Sequence, residues 1–338
     1  MAAYKKRKKV TLKDIAFKTG FTINTVARAL RDKEEISEQT RRLIQTTAKE
    51  MGYISNSMAG SLRSGVTRTI AVILGDISNP NFAILVKEIE EAAREKEYSL
   101  FIINTDEEYR REERAVHTAL SKNVDGIILI PTQERDEDIR LLRANEVPFV
   151  LLGRRFERKD VDYVICDDTK GGFLATRHLI EKGHRRILLL DGPAHISSAR
   201  ERKAGYLKAL RDSEIPVQSE LIQVVSVVSG ECSRTVRRLA EEGIEYTGIF
   251  AFSDLIAFEA IYTLQEMGRR VPEDISVVGF DNIQSKILIP FPLTSVAASK
   301  REMARRAFSI LFDKMNNSED DRPHHEILDT HLVVGRSS

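Results

Sequence analysis

Residues 11–30 read TLKDIAFKTGFTINTVARAL, a pattern that predicts two short helices joined by a tight turn. Thr11, followed three residues later by Asp14, is typical of a capping box, so we expect the first helix to occupy residues 11–19. Gly20 is expected to end this helix, because glycine tolerates the left-handed backbone conformation of a tight turn.

Thr22 is placed to cap a second helix at residues 23–30, and a third helix is expected at about 37–51. Two helices at this spacing are typical of a helix-turn-helix, whose second helix enters the major groove of DNA. On that helix Ile23, Asn24 and Arg28 face away from the predicted core, and their side chains suit a thymine methyl group, adenine and guanine. The head residues predicted to contact DNA are Thr11, Thr22, Ile23, Asn24, Thr25 and Arg28. The alternative is a three-helix bundle whose polar face only meets solvent.

Basic residues are concentrated in this head. The 338-residue chain has a net charge of +1, but residues 1–64 contain 14 Lys and Arg against 6 Asp and Glu, so they carry +8 and the remainder carries −7. A small basic head on an acidic body is typical of an attached nucleic-acid-binding module.

Length and composition exclude several classes of protein. The chain is longer than the ~250–300 residues at which a single core stops growing, so more than one domain is expected. No stretch approaches the about 18 apolar residues of a membrane span, and the basic N-terminal residues do not lead into an export signal. Cys166 and Cys232 are far apart and have no metal-ligating neighbours in the sequence. We therefore expect a cytoplasmic protein without membrane contact, disulfide, metal or cofactor.

No pattern in the sequence indicates an enzyme. There is no Gly-Lys-Ser/Thr phosphate loop, and neither His184 nor the adjacent pair His324 and His325 has a nucleophile, base or chelating partner at a useful spacing.

The head and the segment after it resemble the lactose-repressor (LacI/GalR) family of bacterial transcription regulators. The resemblance is carried by residues 10–16 (VTLKDIA), 25–28 (TVAR), Gly52, Tyr53, Asn56, Ala59 and Leu62. It implies that residues 55–66 form a hinge helix that folds on operator DNA, with contacts from Asn56, Ala59 and Leu62. An apolar wedge such as Leu62 kinks DNA when it enters the minor groove. The alternative is that Leu62 only docks on the body.

This hinge departs from the family pattern at two positions. Ser55 stands where the family usually has proline, and Gly60 stands where it often has arginine. Both changes predict a more flexible hinge, because serine and glycine restrict the backbone less than proline or arginine does.

From residue 69 onward, runs of Ile, Val and Leu alternate with amphipathic stretches. Strands are predicted at 69–74, 99–104, 126–130, 149–152, 186–190, 248–251 and 275–280, and helices near 82–96, 107–122, 169–182, 200–211, 230–242, 254–267 and 300–316. Such alternation is typical of parallel sheets with helices on both faces. The predicted fold is an N-terminal all-α helix-turn-helix head plus an α/β core of two doubly wound parallel-sheet lobes, with ligand bound in the cleft beyond the strand ends.

The resemblance continues through the body. Its motifs lie at 76–82 (DISNPNF), 124–128 (VDGII), 181–184 (EKGH), 202–206 (RKAGY), 252–254 (FSD) and 271–281 (VPEDISVVGFD). They imply a core similar to a periplasmic sugar-binding protein, crossings between lobes near 164–168, 293–297 and 325–330, and a homodimer on a palindromic operator. The expected domains are a head at 1–54, a hinge at 55–66 and a core at 67–338, with a first lobe at about 67–164 and 297–325 and a second at about 168–293 and 328–338.

Strand-end positions and the resemblance together predict an effector pocket. The expected lining residues are Asp76, Asn79, Phe82, Arg154, Arg202, Ser253, Asp254 and Asp281. Arg202 and Asp281 are the strongest candidates, because the resemblance implies that Arg202 matches an arginine that binds effector hydroxyl or carboxylate groups and that Asp281 matches an aspartate that accepts effector hydrogen bonds.

Departures from the family bear on the ligand. Gly153 stands where the family often has an acid, Ser253 replaces asparagine, Val228 lies near a usual aromatic, and the chain has no tryptophan. With Arg154 and Arg155 beside Gly153, we expect a positive rim and an anionic effector such as a sugar phosphate, a neutral sugar being the alternative.

The sequence therefore predicts an effector-modulated transcriptional repressor. Whether the effector induces or corepresses, which operator is bound, and whether the assembly exceeds a dimer stay open. A second possibility is control by a protein partner such as a phosphocarrier protein. A solute-binding protein for a transporter is a weaker alternative, because it would need an export signal and would lack the DNA head.

Overall fold

The computed structural model describes residues 9–54, 65–226, 230–286, 291–316 and 322–338. Its contacts divide the chain into two compact units, one ending at Thr67 and the other spanning Arg68–Ser338. Each unit has its own apolar core. Among the described residues, no helix is both long enough and apolar enough to span a membrane.

The first unit is a three-helix bundle. Its helices are α1 (Leu12–Thr19), α2 (Ile23–Ala29) and α3 (Glu38–Glu50). The predicted capping box is confirmed, since the Thr11 side chain accepts from the Asp14 amide and the Asp14 carboxylate accepts from the Thr11 amide. Gly20 has a φ of 74° and ends α1 as predicted. A small core of Ile15, Val26, Ala29, Ile44 and Ala48 holds the three helices together.

The second unit is built from strands and helices that alternate along the chain. Its strands are β1 (Thr69–Leu74), β2 (Ser99–Asn104), β3 (Gly126–Leu129), β4 (Phe149–Leu152), β5 (Tyr163–Cys166), β6 (Ile187–Asp191), β7 (Ile222–Val224), β8 (Gly248–Ala251), β9 (Ser276–Phe280), β10 (Thr294–Ala298), β11 (His325–Leu328) and β12 (Thr330–Val333). Its helices are α4 (Pro80–Arg94), α5 (Tyr109–Ser121), α6 (Glu137–Ala144), α7 (Asp168–Glu181), α8 (Ser197–Asp212), α9 (Glu231–Glu241), α10 (Asp254–Glu266) and α11 (Lys300–Met315).

The strands form two six-stranded sheets, one in each lobe. The first sheet has the order β11-β5-β4-β3-β1-β2 and the second has the order β12-β10-β9-β8-β6-β7. All pairs are parallel except β10 with β12, which is antiparallel. Central strands such as β3 and β8 are buried along their whole length, which explains their uninterrupted apolar sequences. The predicted α/β core of two parallel-sheet lobes is confirmed.

The crossing that we predicted near residues 293–297 is wrong. β10 pairs with β9 at residues 294–296 and with β12 at residues 295–298, so the chain stays in the second lobe through Ala298. The sequence did not predict this strand because Thr294, Ser295 and Ala297 give no long apolar run. The limits of both lobes shift accordingly. The second lobe includes all of β10, and the first lobe includes all of β5 and β11.

Each crossing between the lobes is one residue long. Asp167 separates β5 from α7, Ser299 separates β10 from α11, and Asp329 separates β11 from β12. The side chains of Asp167 and Ser299 also cap the helices that follow them. The lobes are therefore joined by three short connections that lie beside their strand ends.

Candidate DNA-reading helix and ligand cleft

Helix α2 presents its predicted DNA-contacting residues on one exposed face. Ile23 is 44% exposed although it is apolar, and Asn24 and Arg28 are exposed as well. Val26 and Ala29 lie on the opposite face and are fully buried. The orientation predicted from the apolar spacing is confirmed, while the DNA contacts themselves stay a prediction.

The threonines of the head hold the helix ends. The Thr22 hydroxyl accepts from the Thr25 amide at 3.1 Å and lies 2.9 Å from the Thr25 hydroxyl. Thr11 makes the corresponding contacts at the start of α1. These hydroxyls fix the start of each helix, so any contact that they make with DNA would be added to a capping role.

Arg28 has a partner that the sequence did not reveal. Its guanidinium group lies 3.2 Å from the Glu35 carboxylate, and both side chains are more than half exposed. Exposed ion pairs of this kind contribute about 0–1 kcal/mol, so exchanging Glu35 for a base edge costs little.

The predicted hinge contacts Asn56, Ala59 and Leu62 lie outside the described residues.

The core contains a cavity of about 440 Å³ between its two lobes. Seven of the predicted effector residues line it: Asp76, Asn79, Phe82, Arg154, Arg202, Ser253 and Asp281. They are brought together because parallel strands of both sheets end at this cleft. The volume falls within the about 300–1,000 Å³ of small-molecule sites.

Arg202 is held rigidly in the second-lobe wall of the cavity. Its Nε donates to the Asp168 carboxylate at 2.7 Å, and its Nη1 donates to the carbonyl oxygen of Phe252. The rings of Phe280 and Phe252 lie with their centroids 3.5 Å and 4.6 Å from the guanidinium carbon. Burial raises the pKa of Asp168 to about 6, although Arg202 acts in the opposite direction. This packing fixes the guanidinium plane before any ligand binds.

Asp281 lies beside Arg202, with 3.8 Å between a carboxylate oxygen and Nη2. Its φ of 103° is in the left-handed region, which an aspartate adopts only when the surrounding structure holds it there. The Lys300 ammonium donates to the Asp281 carbonyl oxygen and so ties the start of α11 to the second lobe. Burial raises the pKa of the Asp281 carboxyl and lowers that of Lys300.

The first-lobe wall contains a second ion pair. Arg154 donates from Nη1 and Nη2 to the two carboxylate oxygens of Glu107 at 2.7 Å and 2.9 Å. Its Nη1 also donates to the Pro131 carbonyl oxygen at 2.9 Å. Neither Glu107 nor Lys300 was predicted. Glu107 follows β2 just as Asp76 follows β1, so the strand-end rule could have found it, but our predicted helix began at residue 107 instead of Tyr109.

The loop after β1 completes this wall. The Asn79 side chain accepts from the Asn81 amide at 3.0 Å and caps α4. The Asp76 carboxylate accepts from the amide and the hydroxyl of Ser78, both at 2.8 Å. Phe82 is almost fully buried and gives the cavity an apolar side. The loop therefore offers a ligand both an apolar surface and ordered polar groups.

The structure places the side chain of Asp254 behind the cavity that we predicted it to line. Its carboxylate accepts from the Ile283 amide at 2.8 Å and from the Ser295 hydroxyl at 2.6 Å, and the residue does not line the cavity. Burial and the nearby Asp281 raise its pKa to about 7. Asp254 thus holds the strand ends behind the cavity, because its position at the start of α10 turns the side chain inward.

The structure does not have the positive rim that we predicted for the cavity. Arg155 does not line the cavity, and its Nη2 donates to the Glu201 carboxylate of the second lobe at 2.7 Å. The cations that do line it, Arg154, Arg202 and Lys300, each bond a carboxylate or a carbonyl oxygen. Arg154 and Arg202 are paired with carboxylates, whereas the partner of Lys300 is a neutral carbonyl oxygen. Among the described residues, four carboxylates line the cavity, Asp76, Asp106, Glu107 and Asp281, against these three cations, so the wall has no excess of positive charge.

Comparison with known proteins gives two family matches. The family described as periplasmic binding proteins and sugar binding domain of LacI family matches residues 67–331. The family described as bacterial regulatory proteins, lacI family, matches residues 11–56.

Individual relatives match over almost the whole chain. The HTH-type transcriptional repressor PurR of Aliivibrio fischeri is 30% identical over 331 residues, which cover 97% of this chain and 98% of the relative. The lac repressor dimer bound to operator and the anti-inducer ONPF gives a TM-score of 0.84 at 26% identity, covering 98% of this chain and 99% of that one. The complex of the transcriptional regulator CelR with cellobiose gives 0.73 at 29% identity, covering 98% and 100%.

Proposed function

Because the chain belongs to the LacI family of bacterial regulatory proteins and is a DNA-binding transcriptional repressor with a small-molecule effector, we propose that the effector is a neutral, polyhydroxylated molecule of the sugar class. We also propose that a homodimer binds a palindromic operator in the cytoplasm, where the bacterial chromosome lies. We propose the roles of individual residues in effector and operator binding as well.

The pairing of charges in the cavity wall carries the proposal on the ligand. Asp281 has acceptor oxygens beside the donors of Arg202, and Glu107 has them beside the donors of Arg154. A hydroxyl group both donates and accepts, so it can bond a carboxylate and a guanidinium group at once. A phosphate or carboxylate only accepts, and it would be repelled by Asp281 and Glu107. The apolar side at Phe82 suits the carbon face of a sugar ring.

Known relatives support the sugar class. The CelR structure contains cellobiose, which is a neutral sugar, and the family matching residues 67–331 is described as a sugar binding domain. The sugar phosphate expected from the sequence is therefore the less favoured ligand for this cleft.

For the head, we propose that α2 lies in the major groove. Ile23, Asn24 and Arg28 would contact base edges from its exposed face. Leu62, in the hinge, would enter the minor groove at the centre of the operator. An effector that prefers one arrangement of the lobes changes operator affinity, and operator binding must change effector affinity by the same factor.

A selection of bound DNA fragments tests both proposals. Random duplexes are selected with the full chain, first alone and then with D-glucose, D-ribose, cellobiose, glucose 6-phosphate or ribose 5-phosphate. We expect an inverted-repeat operator and a change of its affinity with a neutral sugar but not with the phosphates. The variant Asp281→Asn should select the same operator without responding to the sugar. A selected sequence without two-fold symmetry contradicts the homodimer, and a response only to phosphates contradicts the ligand class.

A further inference from the structure

The pair of Glu107 and Arg154 is largely buried and faces the ligand cavity from the first lobe, as Arg202 and Asp281 do from the second. The side chain of Arg154 is 6% exposed and that of Glu107 is 16% exposed. Both residues line the cavity, and two parallel hydrogen bonds join them. The geometry is the bidentate arrangement that makes arginine–carboxylate pairs strong.

The backbone is shaped to bring Glu107 to this position. Asp106 and Glu107 have φ values of 52° and 57°, two consecutive left-handed residues of which neither is glycine. Gly75 leaves the necessary room, because a Cβ atom at that position would lie 2.1 Å from Oε1 of Glu107. The position therefore depends on a strained turn and on a neighbour without a side chain.

Holding the loops together does not require the Glu107 carboxylate. Arg154 already binds the Pro131 carbonyl oxygen, and the Asp106 amide donates to the Gly75 carbonyl oxygen at 2.6 Å. What the carboxylate adds is negative charge beside a guanidinium group that would otherwise be unpaired in the cavity wall. An unpaired buried guanidinium group attracts anions strongly, because the attraction is little screened there.

We propose that Glu107 sets the charge class of the effector by neutralising Arg154, so that the first-lobe wall accepts hydroxyl groups and rejects phosphate and carboxylate groups. This inference rests on the proposed function, in which the cleft is the effector site. Glu107 is on this view a specificity-determining residue.

The test compares Glu107→Gln with the wild-type chain. Glutamine keeps the shape and one acceptor oxygen but removes the charge, so Arg154 becomes an unpaired cation. Glu108→Gln is the matched control, because Glu108 is exposed and binds Arg111 instead, at 3.0 Å. Calorimetry with full-length protein measures inorganic phosphate, glucose, glucose 6-phosphate, ribose, ribose 5-phosphate and cellobiose.

We expect Glu107→Gln to bind inorganic phosphate about tenfold or more tightly than the wild type, because an unpaired charge at hydrogen-bonding range has at least that effect. The preference for each phosphate ester over its parent sugar should rise by a similar factor. Glu108→Gln should behave as the wild type does, and Glu107→Gln with Arg154→Met should lose the gain. If Glu107→Gln folds poorly, Glu107→Gly removes the same charge at a backbone angle that glycine prefers, and it should show the same gain.

An unchanged phosphate affinity and an unchanged ester preference in a folded variant would overturn the inference. The outcome is separate from that of the proposed function. If the wild type binds none of the sugars, the sugar class fails, and the phosphate affinity of Glu107→Gln still decides the role of Glu107.

Discussion

Glu112, on α5, gives the core a measurable dependence of stability on pH. It is fully buried, and its carboxylate accepts from the amide and the hydroxyl of Thr132 at 2.7 Å and 3.1 Å. Asp138, on α6, is buried beside it, and its two oxygens have no hydrogen-bond partner of ordinary geometry among the described residues. A proton on Glu112 would give Asp138 a donor. Burial and the adjacent Asp138 raise the pKa of Glu112 to about 9.

The sign of the effect follows from this pKa. Because the folded-state pKa lies above the unfolded value of 4.5, the folded chain holds a proton that the unfolded chain has released. The contribution to the free energy of unfolding is complete below the unfolded value and is lost as the pH rises toward 9. Each pH unit in this range removes about 1.4 kcal/mol, which is about 2–4 °C in Tm for a domain of this size.

Thermal unfolding between pH 7.5 and 8.5 is the suitable assay. Asp168 and Asp191, whose pKa values burial raises to about 6, have already titrated below this interval, and Asp254, with a pKa of about 7, is present in every chain compared. Glu112→Gln should show a clearly smaller loss of Tm than the wild type, because glutamine can accept from Thr132 and donate to Asp138 without titrating. Glu113→Gln, at an exposed neighbouring position, should keep the wild-type slope. Equal slopes for the wild type and Glu112→Gln would refute the buried proton.

Four other predictions concern the two sites. Arg28→Ala should weaken operator binding by ~1–3 kcal/mol and relax specificity at one base pair of each half-site, whereas equal weakening on all DNA sequences in a competition assay would indicate a phosphate contact. Arg202→Met should abolish effector binding in calorimetry and lower stability by about 3–5 kcal/mol, because Asp168 is left buried and unpaired; full retention of affinity would remove Arg202 from the site. Asp254→Asn should lower Tm but change effector affinity less than twofold, and a large loss of affinity in a stable variant would restore Asp254 to the pocket. Leu62→Ala should reduce the bend of operator DNA in a gel-mobility assay, and an unchanged bend would contradict the minor-groove wedge.

The sequence alone predicted those helices and strands whose formation depends on residues close together in the chain. β1 and β8 were placed at their observed limits, because an apolar strand buried on both faces has a distinctive composition. β10 was missed because its burial depends on distant partners, including Ser337, whose hydroxyl accepts from the Thr294 amide at 2.9 Å. Strand and helix propensities depend on neighbouring residues and therefore do not reflect such a contact.

The ligand cleft shows the same limit at the level of side chains. Position at a strand end correctly placed Asp281 at the cavity, because topology decides where strand ends meet, and the family resemblance did so for Arg202, which lies on helix α8. It could not tell that the Asp254 side chain turns inward, nor that Glu107 pairs with Arg154. Those details depend on individual dihedral angles and on the space left by Gly75.

The three one-residue crossings restrict how the core can respond to a ligand. Asp167, Ser299 and Asp329 each offer only two soft backbone dihedral angles between elements of opposite lobes. Connections this short leave little slack for one lobe to slide along the other, which favours a hinge rotation at these three residues as the motion that opens and closes the cleft. The cavity lies beside this hinge, since Cys166, Ala298 and Lys300 line it, so a small displacement there becomes a larger one at the far ends of the lobes.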